Sequence, residues 1–217
     1  MFYGAGIICY KLDNGEYKFL LVNKSYSESF RNCLVGKNFD PEYLNLFELY
    51  MFYKYDFKDI YMSFFDKKDI TEQEILYIER IKKKNEIILS KESLMSYITL
   101  HKYNDNIWDI PKGHVTFFDG SNEETALREF EEETRISRKN ILIDENFHCR
   151  FINRNYPDDD YKIKYYIAKY IGPDTEDVNK SSDEIMYSKW MSIYEIRNIS
   201  INHNQKSLIE SIFNELL

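Results

Sequence analysis

The stretch from Gly113 to Ile136 limits the fold of this chain more than any other, because it sets charge and apolarity at helical spacing behind a turn. Ser121-Asn122-Glu123-Glu124 has the form of a capping box, and it predicts a helix running to about Arg135. Each helical residue advances about 100°. Glu129, Glu132 and Glu133, at i, i+3 and i+4, therefore converge on one face. Ala126, Leu127, Phe130 and Thr134 gather roughly opposite and face a core. Arg128 can reach Glu132 at i,i+4, and Glu131 points towards Arg135 in the same relation. Carboxylates four apart, as Glu129 and Glu133 are, destabilise a helix unless something neutralises them. A hard divalent cation does so naturally, since Mg²⁺ takes oxygen ligands and bridges carboxylates to substrate phosphates. A solvated acidic face is the commoner meaning of a glutamate run. Here the ordered apolar face and the upstream Ile110-Pro111-Lys112-Gly113 turn count against it.

Around this segment the pattern is mixed α/β. Gly6–Tyr10 and Tyr17–Val22 flank Asp13-Asn14-Gly15, and Asn-Gly between strand-like runs predicts a hairpin. Residues 31–99 change character: Leu44, Phe47, Leu49, Tyr50, Met51 and Tyr53 are near-helical in spacing, and Ile70–Leu89 reads as one longer helix. Strand character returns at Ile107–Ile110, Phe147–Asn153, Tyr161–Tyr170 and Ile185–Ile193. In the third of these, Ile163, Tyr165 and Ile167 alternate with Lys162 and Lys164, which suits a half-buried sheet. Leu208, Ile209, Ile212, Phe213 and Leu216 mark a C-terminal amphipathic helix.

Charge and cysteine usage narrow the function. A net charge of −8 argues against nonspecific nucleic-acid binding by the whole surface. It is uneven, with residues 31–99 near −1 and the remainder near −7, so the middle segment repels a polyanion least. Cys9, Cys33 and Cys149 are odd in number and form no CxxC, so neither a disulfide framework nor a zinc site is expected, and a reducing, cytoplasmic setting fits best. The apolar start Met1–Tyr10 is too short to span a bilayer and reads as a strand. No membrane partner is expected.

The segment resembles the Nudix box, which runs Gly, five residues, Glu, seven residues, Arg-Glu-apolar-any-Glu-Glu-any-Gly-apolar. The match is carried by Gly113, Arg128, Glu129, Phe130, Glu132, Glu133 and Ile136. It departs twice. Fourteen residues separate Gly113 from Arg128 instead of thirteen, so the early Glu slot falls on Gly120, where Asp119 or Glu123 can substitute, and Arg135 holds the late Gly slot. The resemblance implies a Nudix α/β/α sandwich with Mg²⁺ or Mn²⁺ as cofactor. It makes Glu132 and Glu133 principal metal ligands, Glu129 a further ligand or base, the Gly113 carbonyl a metal contact and Arg128 a structural residue orienting the glutamates. Lys112 and, less directly, Lys24 are candidates to meet substrate phosphates.

Val22–Ser27, Trp108–Gly113, Arg128–Thr134 and Asp183-Glu184-Ile185 followed by Trp190 are similar to the mRNA-decapping Nudix enzymes of large DNA viruses, notably the African swine fever virus type. That resemblance implies a Nudix domain formed by residues 1–30 and 100–217, interrupted after its first hairpin by a mainly helical RNA-binding insertion at 31–99. It makes Glu184 a late ligand or base, with Asp183 as its rival. Arg80, Lys82, Lys83 and Lys84 are the basic footprint available to RNA, although a lysine run on a helix is usually a solvated face. The function implied is release of m7GDP from capped RNA, leaving a 5′-monophosphate end, in the host cytoplasm if the protein is viral. The alternative is hydrolysis of diphosphoinositol polyphosphates or nucleoside di- and triphosphates. An inactive RNA- or protein-binding module is a third reading, and the retained glutamates argue against it.

Overall fold

A computed structural model describes residues 4–100, 107–156, 159–173, 185–199 and 201–217. The chain divides into two units, residues 1–25 with 107–217, and residues 26–106.

The first unit is built on one mixed sheet. Strands β1 (Gly4–Asp13) and β2 (Glu16–Lys24) form the hairpin, and Asn14 and Gly15 both have positive φ, at 51° and 83°. That is the conformation a two-residue turn matched to strand twist requires, and Asn-Gly adopts it most cheaply. The remaining strands are β3 (Ile107–Asp109), β4 (Lys112–His114), β5 (Ile141–Ile143), β6 (Arg150–Tyr156), β7 (Asp159–Tyr170) and β8 (Ile185–Ser192). The path runs β3-β2-β1-β7-β5, with β4 beside β1, β6 beside β7 and β8 beside β2. The centre is the parallel pair β1 and β7. On its other edge β1 pairs with β2 near Tyr10–Asp13 but with β4 at Gly4–Gly6, so the sheet splays there. A side chain at Gly6 would strike the Pro111 carbonyl and the Lys112 side chain, so the missing Cβ lets β4 approach.

Both faces of the sheet are covered. Ile8, Phe19, Leu21, Ile163, Tyr165 and Ile167 pack with Ile193 and Ile196 of α7 (Ile193–Arg197) and Ile209 and Ile212 of α8 (His203–Leu216). Ala5, Ile7, Cys9, Leu20, Tyr166 and Ala168 pack on the opposite face with Ala126 and Phe130 of α6 (Asn122–Thr134). The half-buried reading of β7 holds over residues 162–164 and fails beyond them. Residues 165–168 are buried on both sides and Lys169 is exposed, because the parallel partner β1 places the middle of β7 at the centre of a sheet with helices above and below.

The second unit is helical throughout its described elements: α1 (Glu28–Leu34), α2 (Leu46–Lys54), α3 (Phe57–Phe64), α4 (Glu72–Lys84) and α5 (Lys91–Leu100), with a short 3₁₀ turn at Pro41–Tyr43. Phe30, Leu34, Leu44, Leu49, Ile60, Ile78, Ile81 and Leu94 form its own core. The single helix expected over Ile70–Leu89 is shorter. It starts at a full capping box on Thr71 and Glu74 and ends after Lys84, where the Asn85 N–H closes onto the Ile81, Lys82 and Lys83 carbonyls. Leu89 joins the same core beyond that turn.

Candidate active site

Helix α6 lies on β1 through Ala126 and Phe130, both fully buried, which turns its acidic face towards β4. The Ser121 hydroxyl accepts from the Glu124 N–H at 3.1 Å, while Glu124 itself reaches Arg138 instead of returning to the cap. Only half of the expected capping box therefore forms. Glu131 also turns to Arg138, at 2.6 Å, and not to Arg135. Arg135 is drawn out of the helix: it is the C-cap, with φ 59° in the left-handed region. It thus adopts the left-handed backbone for which glycine is the usual choice at a helix end.

Arg128 sits at the hub. Its Nε and Nη2 donate to the two oxygens of Asp119, each at 3.0 Å, and Nη2 also reaches the His114 carbonyl at 3.1 Å. Nη1 donates to Glu129 at 2.7 Å and to Glu132 at 2.9 Å. Counted forward from Gly113, Asp119 takes the early acidic slot, so the extra residue lies between it and the helix. The paired guanidinium, with the Thr116 and Thr125 hydroxyls, holds the Asp119 carboxyl well below the usual carboxylate range.

Glu133, on the same face of α6, is buried and engages partners other than Arg128. One oxygen accepts from the Lys112 backbone N–H at 2.9 Å, and the other lies 3.5 Å from the Lys24 ammonium. Burial pushes its pKa up, against the opposing pull of Lys24 and Lys112. Both lysine side chains also pair with Asp109, Lys24 at 3.2 Å and Lys112 more closely. Gln205 of α8 donates to Asp109 and, at 3.1 Å, to the Tyr165 hydroxyl. Burial alone would raise the Asp109 pKa, but the two ammonium groups hold it far below the usual range. Two carboxylates and two ammonium groups thus form a largely buried, charge-balanced cluster around Glu133.

The donor set fits a hard divalent cation. Three carboxylates project from one face of α6, and Gly113 leaves the space that the Glu129 carboxylate fills, since a Cβ there would overlap that group. All the donors are oxygens, as Mg²⁺ and Mn²⁺ prefer. Among the described residues, no three acidic, histidine or cysteine side chains stand ready-made around one point. Glu129 and Glu132 lean on Arg128, and Glu133 leans on Lys24 and Lys112.

Of the residues expected at the site, Gly113, Lys112, Lys24, Arg128, Glu129, Glu132 and Glu133 are brought together by β2, β4 and α6. Glu184 and Asp183 lie outside the described residues. Arg80, Lys82, Lys83 and Lys84 belong to the helical unit, where two of them have structural partners. Lys82 pairs with Asp56 at 2.7 Å, and Lys84 donates to the Gly36 carbonyl at 2.9 Å. Sequence reasoning missed Asp109 and Gln205. The signal for Asp109 was its opposite charge three residues before Lys112, whereas Gln205 becomes a neighbour only through the fold.

Residues 73–212 match the model of a family described as the NUDIX domain. No curated protein matches the sequence. Among solved structures, the chain is similar to a C. elegans Ap4A hydrolase binary complex, at 18% identity and a TM-score of 0.56, covering 100% of this chain and 98% of that one. It is also similar to the NUDIX domain of Shewanella oneidensis NrtR complexed with ADP ribose, at 12% identity and a TM-score of 0.48, covering 100% and 89%. A MutT protein from Methanosarcina mazei Go1 follows, at 16% identity and a TM-score of 0.47, covering 98% and 92%. At these identities the first likeness is one of fold.

Proposed function

Because the chain belongs to the Nudix family, we propose that it is a hydrolase that cleaves the phosphoanhydride of an RNA cap, releasing m7GDP and 5′-monophosphate RNA. The observation carrying the RNA reading is the helical unit of residues 26–106, placed in sequence directly after the β1–β2 hairpin and possessing a core of its own. A small soluble polyphosphate needs no such added surface. Capped RNA, with a chain to hold as well as a diphosphate to cut, gives that surface a use.

Glu129, Glu132, Glu133 and the Gly113 carbonyl are the groups that would hold Mg²⁺ or Mn²⁺. The cation would screen the diphosphate charge and make an attacking water more acidic. Arg128 holds Glu129 and Glu132 by their oxygens and ties them to the loop through Asp119, which keeps both carboxylates on the face a cation would meet. Asp109 fixes the Lys24 and Lys112 ammonium groups beside Glu133, where they face incoming phosphate oxygens. Preorganised charge of this kind supplies much of the acceleration in such sites. Glu184, immediately before β8, is our candidate for a late ligand or general base.

The test offers capped RNA, free cap analogue and a diphosphoinositol polyphosphate together, with Mg²⁺ or Mn²⁺. Preferential release of m7GDP from RNA is expected. Preferential consumption of the inositol substrate would overturn the reading.

A further inference from the structure

Phe117 and Phe118 are 97% and 93% exposed, the highest values among the large apolar side chains of the described residues. They fill the two central positions of a turn closed by the Asp119 N–H onto the Thr116 carbonyl at 3.2 Å. Such positions ordinarily go to Pro, Gly, Asn or Asp, which set the backbone or bond to it. Phenylalanine does neither. The rings meet edge to face, with centroids 5.9 Å apart and planes at 83°, and neither ring belongs to a core cluster.

The turn that carries them is stiff. Asp119 accepts from the Thr116 N–H at 2.8 Å and from the Thr116 and Thr125 hydroxyls, each at 3.0 Å. Arg128 clamps the loop at Asp119 and at the His114 carbonyl, and the same guanidinium touches Glu129 and Glu132. Two aromatic rings are thus held in water on a loop anchored to the carboxylate face.

We infer that Phe117 and Phe118 form a platform on which the nucleobase of the substrate stacks while its phosphates lie against α6. The inference rests on the proposed function and adds how the base is read. Charge selects the occupant. From Val115 to Leu127 there are three acids, Asp119, Glu123 and Glu124, and no lysine or arginine. Asp119 and Glu124 are neutralised by Arg128 and Arg138 from outside the run, and the run offers no cation of its own to an anionic lipid surface or a phosphate backbone. It suits a base that carries positive charge, as 7-methylguanine does, which an aromatic face also attracts. An inositol ring has no π face and would be indifferent to the pair.

The experiment measures kcat and KM for m7GpppG, GpppG and a diphosphoinositol polyphosphate in the wild type and in a Phe117→Ala/Phe118→Ala variant. Both side chains are outside the core, so the variant should fold normally. Loss of a stacked base should raise KM for m7GpppG by on the order of tenfold to a hundredfold, with kcat within about twofold. GpppG should be less affected, and the inositol substrate not at all. A Phe118→Trp protein should keep m7GpppG binding and change its fluorescence when titrated with m7GDP, a readout that needs no turnover. An unmoved KM in the double variant, or a flat titration up to the wild-type KM, would overturn the platform. Turnover with an unmoved KM means the platform fails while the decapping reading survives. A fluorescence response without any cleavage means the reverse.

Discussion

Arg128 divides its N–H donors among Asp119, Glu129, Glu132 and the His114 carbonyl, and a lysine cannot replace that planar fork. Arg128→Lys should leave Asp119 half-satisfied and the two glutamates unaligned. A loss of about 10–100-fold in metal affinity or activity is expected, as for other residues that orient metal ligands. Calorimetric titration with Mn²⁺ checks it, and wild-type affinity would show the alignment to be unimportant. Glu133→Gln should abolish turnover without unfolding the protein, since the amide keeps an oxygen to accept from the Lys112 N–H. Near-normal rates in that variant at saturating Mn²⁺ would remove Glu133 from the ligand set. Arg135 gives a stability prediction free of chemistry. An L-residue in the left-handed region is strained, and Arg135 has φ 59°. Arg135→Gly should therefore stabilise the protein by roughly 0.5–1 kcal/mol in denaturant unfolding.

Helix α2 carries a buried glutamate with a consequence for pH. Glu48 accepts from the Ser27 hydroxyl at 2.7 Å, the Ser27 N–H and the Asn45 N–H at 2.8 Å, so it joins the start of α1 to the start of α2. Burial pushes it up to about 7 from 4.5, although these bonds favour the ionised form. The folded state then binds the proton more tightly than the unfolded chain does. Its contribution is fully present below the unfolded pKa and lost as pH rises towards 7. The wild type should lose roughly 3 kcal/mol relative to Glu48→Gln between pH 4.5 and 8. Parallel stability curves for the two proteins would show that Glu48 titrates normally. Helix α4 also constrains the RNA reading. All of its basic residues are exposed, but Lys82 bonds to Asp56 and Lys84 to the Gly36 carbonyl, and Lys91 of α5 lies over the Tyr53 ring at 5.8 Å, so Arg80 and Lys83 are the two to change.

For the whole molecule, the proposal requires RNA affinity to fall steeply with salt, because binding to a phosphate backbone releases counterions. With a charge near −7 outside residues 31–99, that segment repels a phosphate backbone least, and Arg80 and Lys83 are its proposed footprint. Arg80→Glu/Lys83→Glu spares the structural lysines and should flatten the slope of log affinity against log salt by roughly 1.4. Cleavage of a free cap analogue should be unchanged. Identical slopes would mean that this face is merely solvated. Glu184 belongs at this scale too, since it can act only if the fold brings the start of β8 to α6. Glu184→Gln should cost about 10²–10⁴-fold in rate with little change in binding. The same loss in Asp183→Asn instead would move the role by one residue. Among the described residues no helix is long and apolar enough to cross a membrane.

Local periodicity and chemistry sufficed for much of this. The Asn14-Gly15 hairpin, the acidic and apolar faces of α6, and the C-terminal helix α8 could be read directly, because turn geometry and helical pitch act over a few residues. What stayed hidden depends on partners distant in sequence. Nothing local says that Glu131 prefers Arg138 to Arg135, because that choice follows from the left-handed turn at the helix end. Nor does the spacing show that Lys24, Asp109, Glu133 and Gln205 share one cluster, which requires β2, β3, α6 and α8 to meet around the splayed edge of β1. Residue chemistry and local spacing set which groups could carry charge and which faces had to be buried. Which charge met which came from the packing of distant segments, because an ion pair in a low-dielectric interior is set by where the backbone places its two ends.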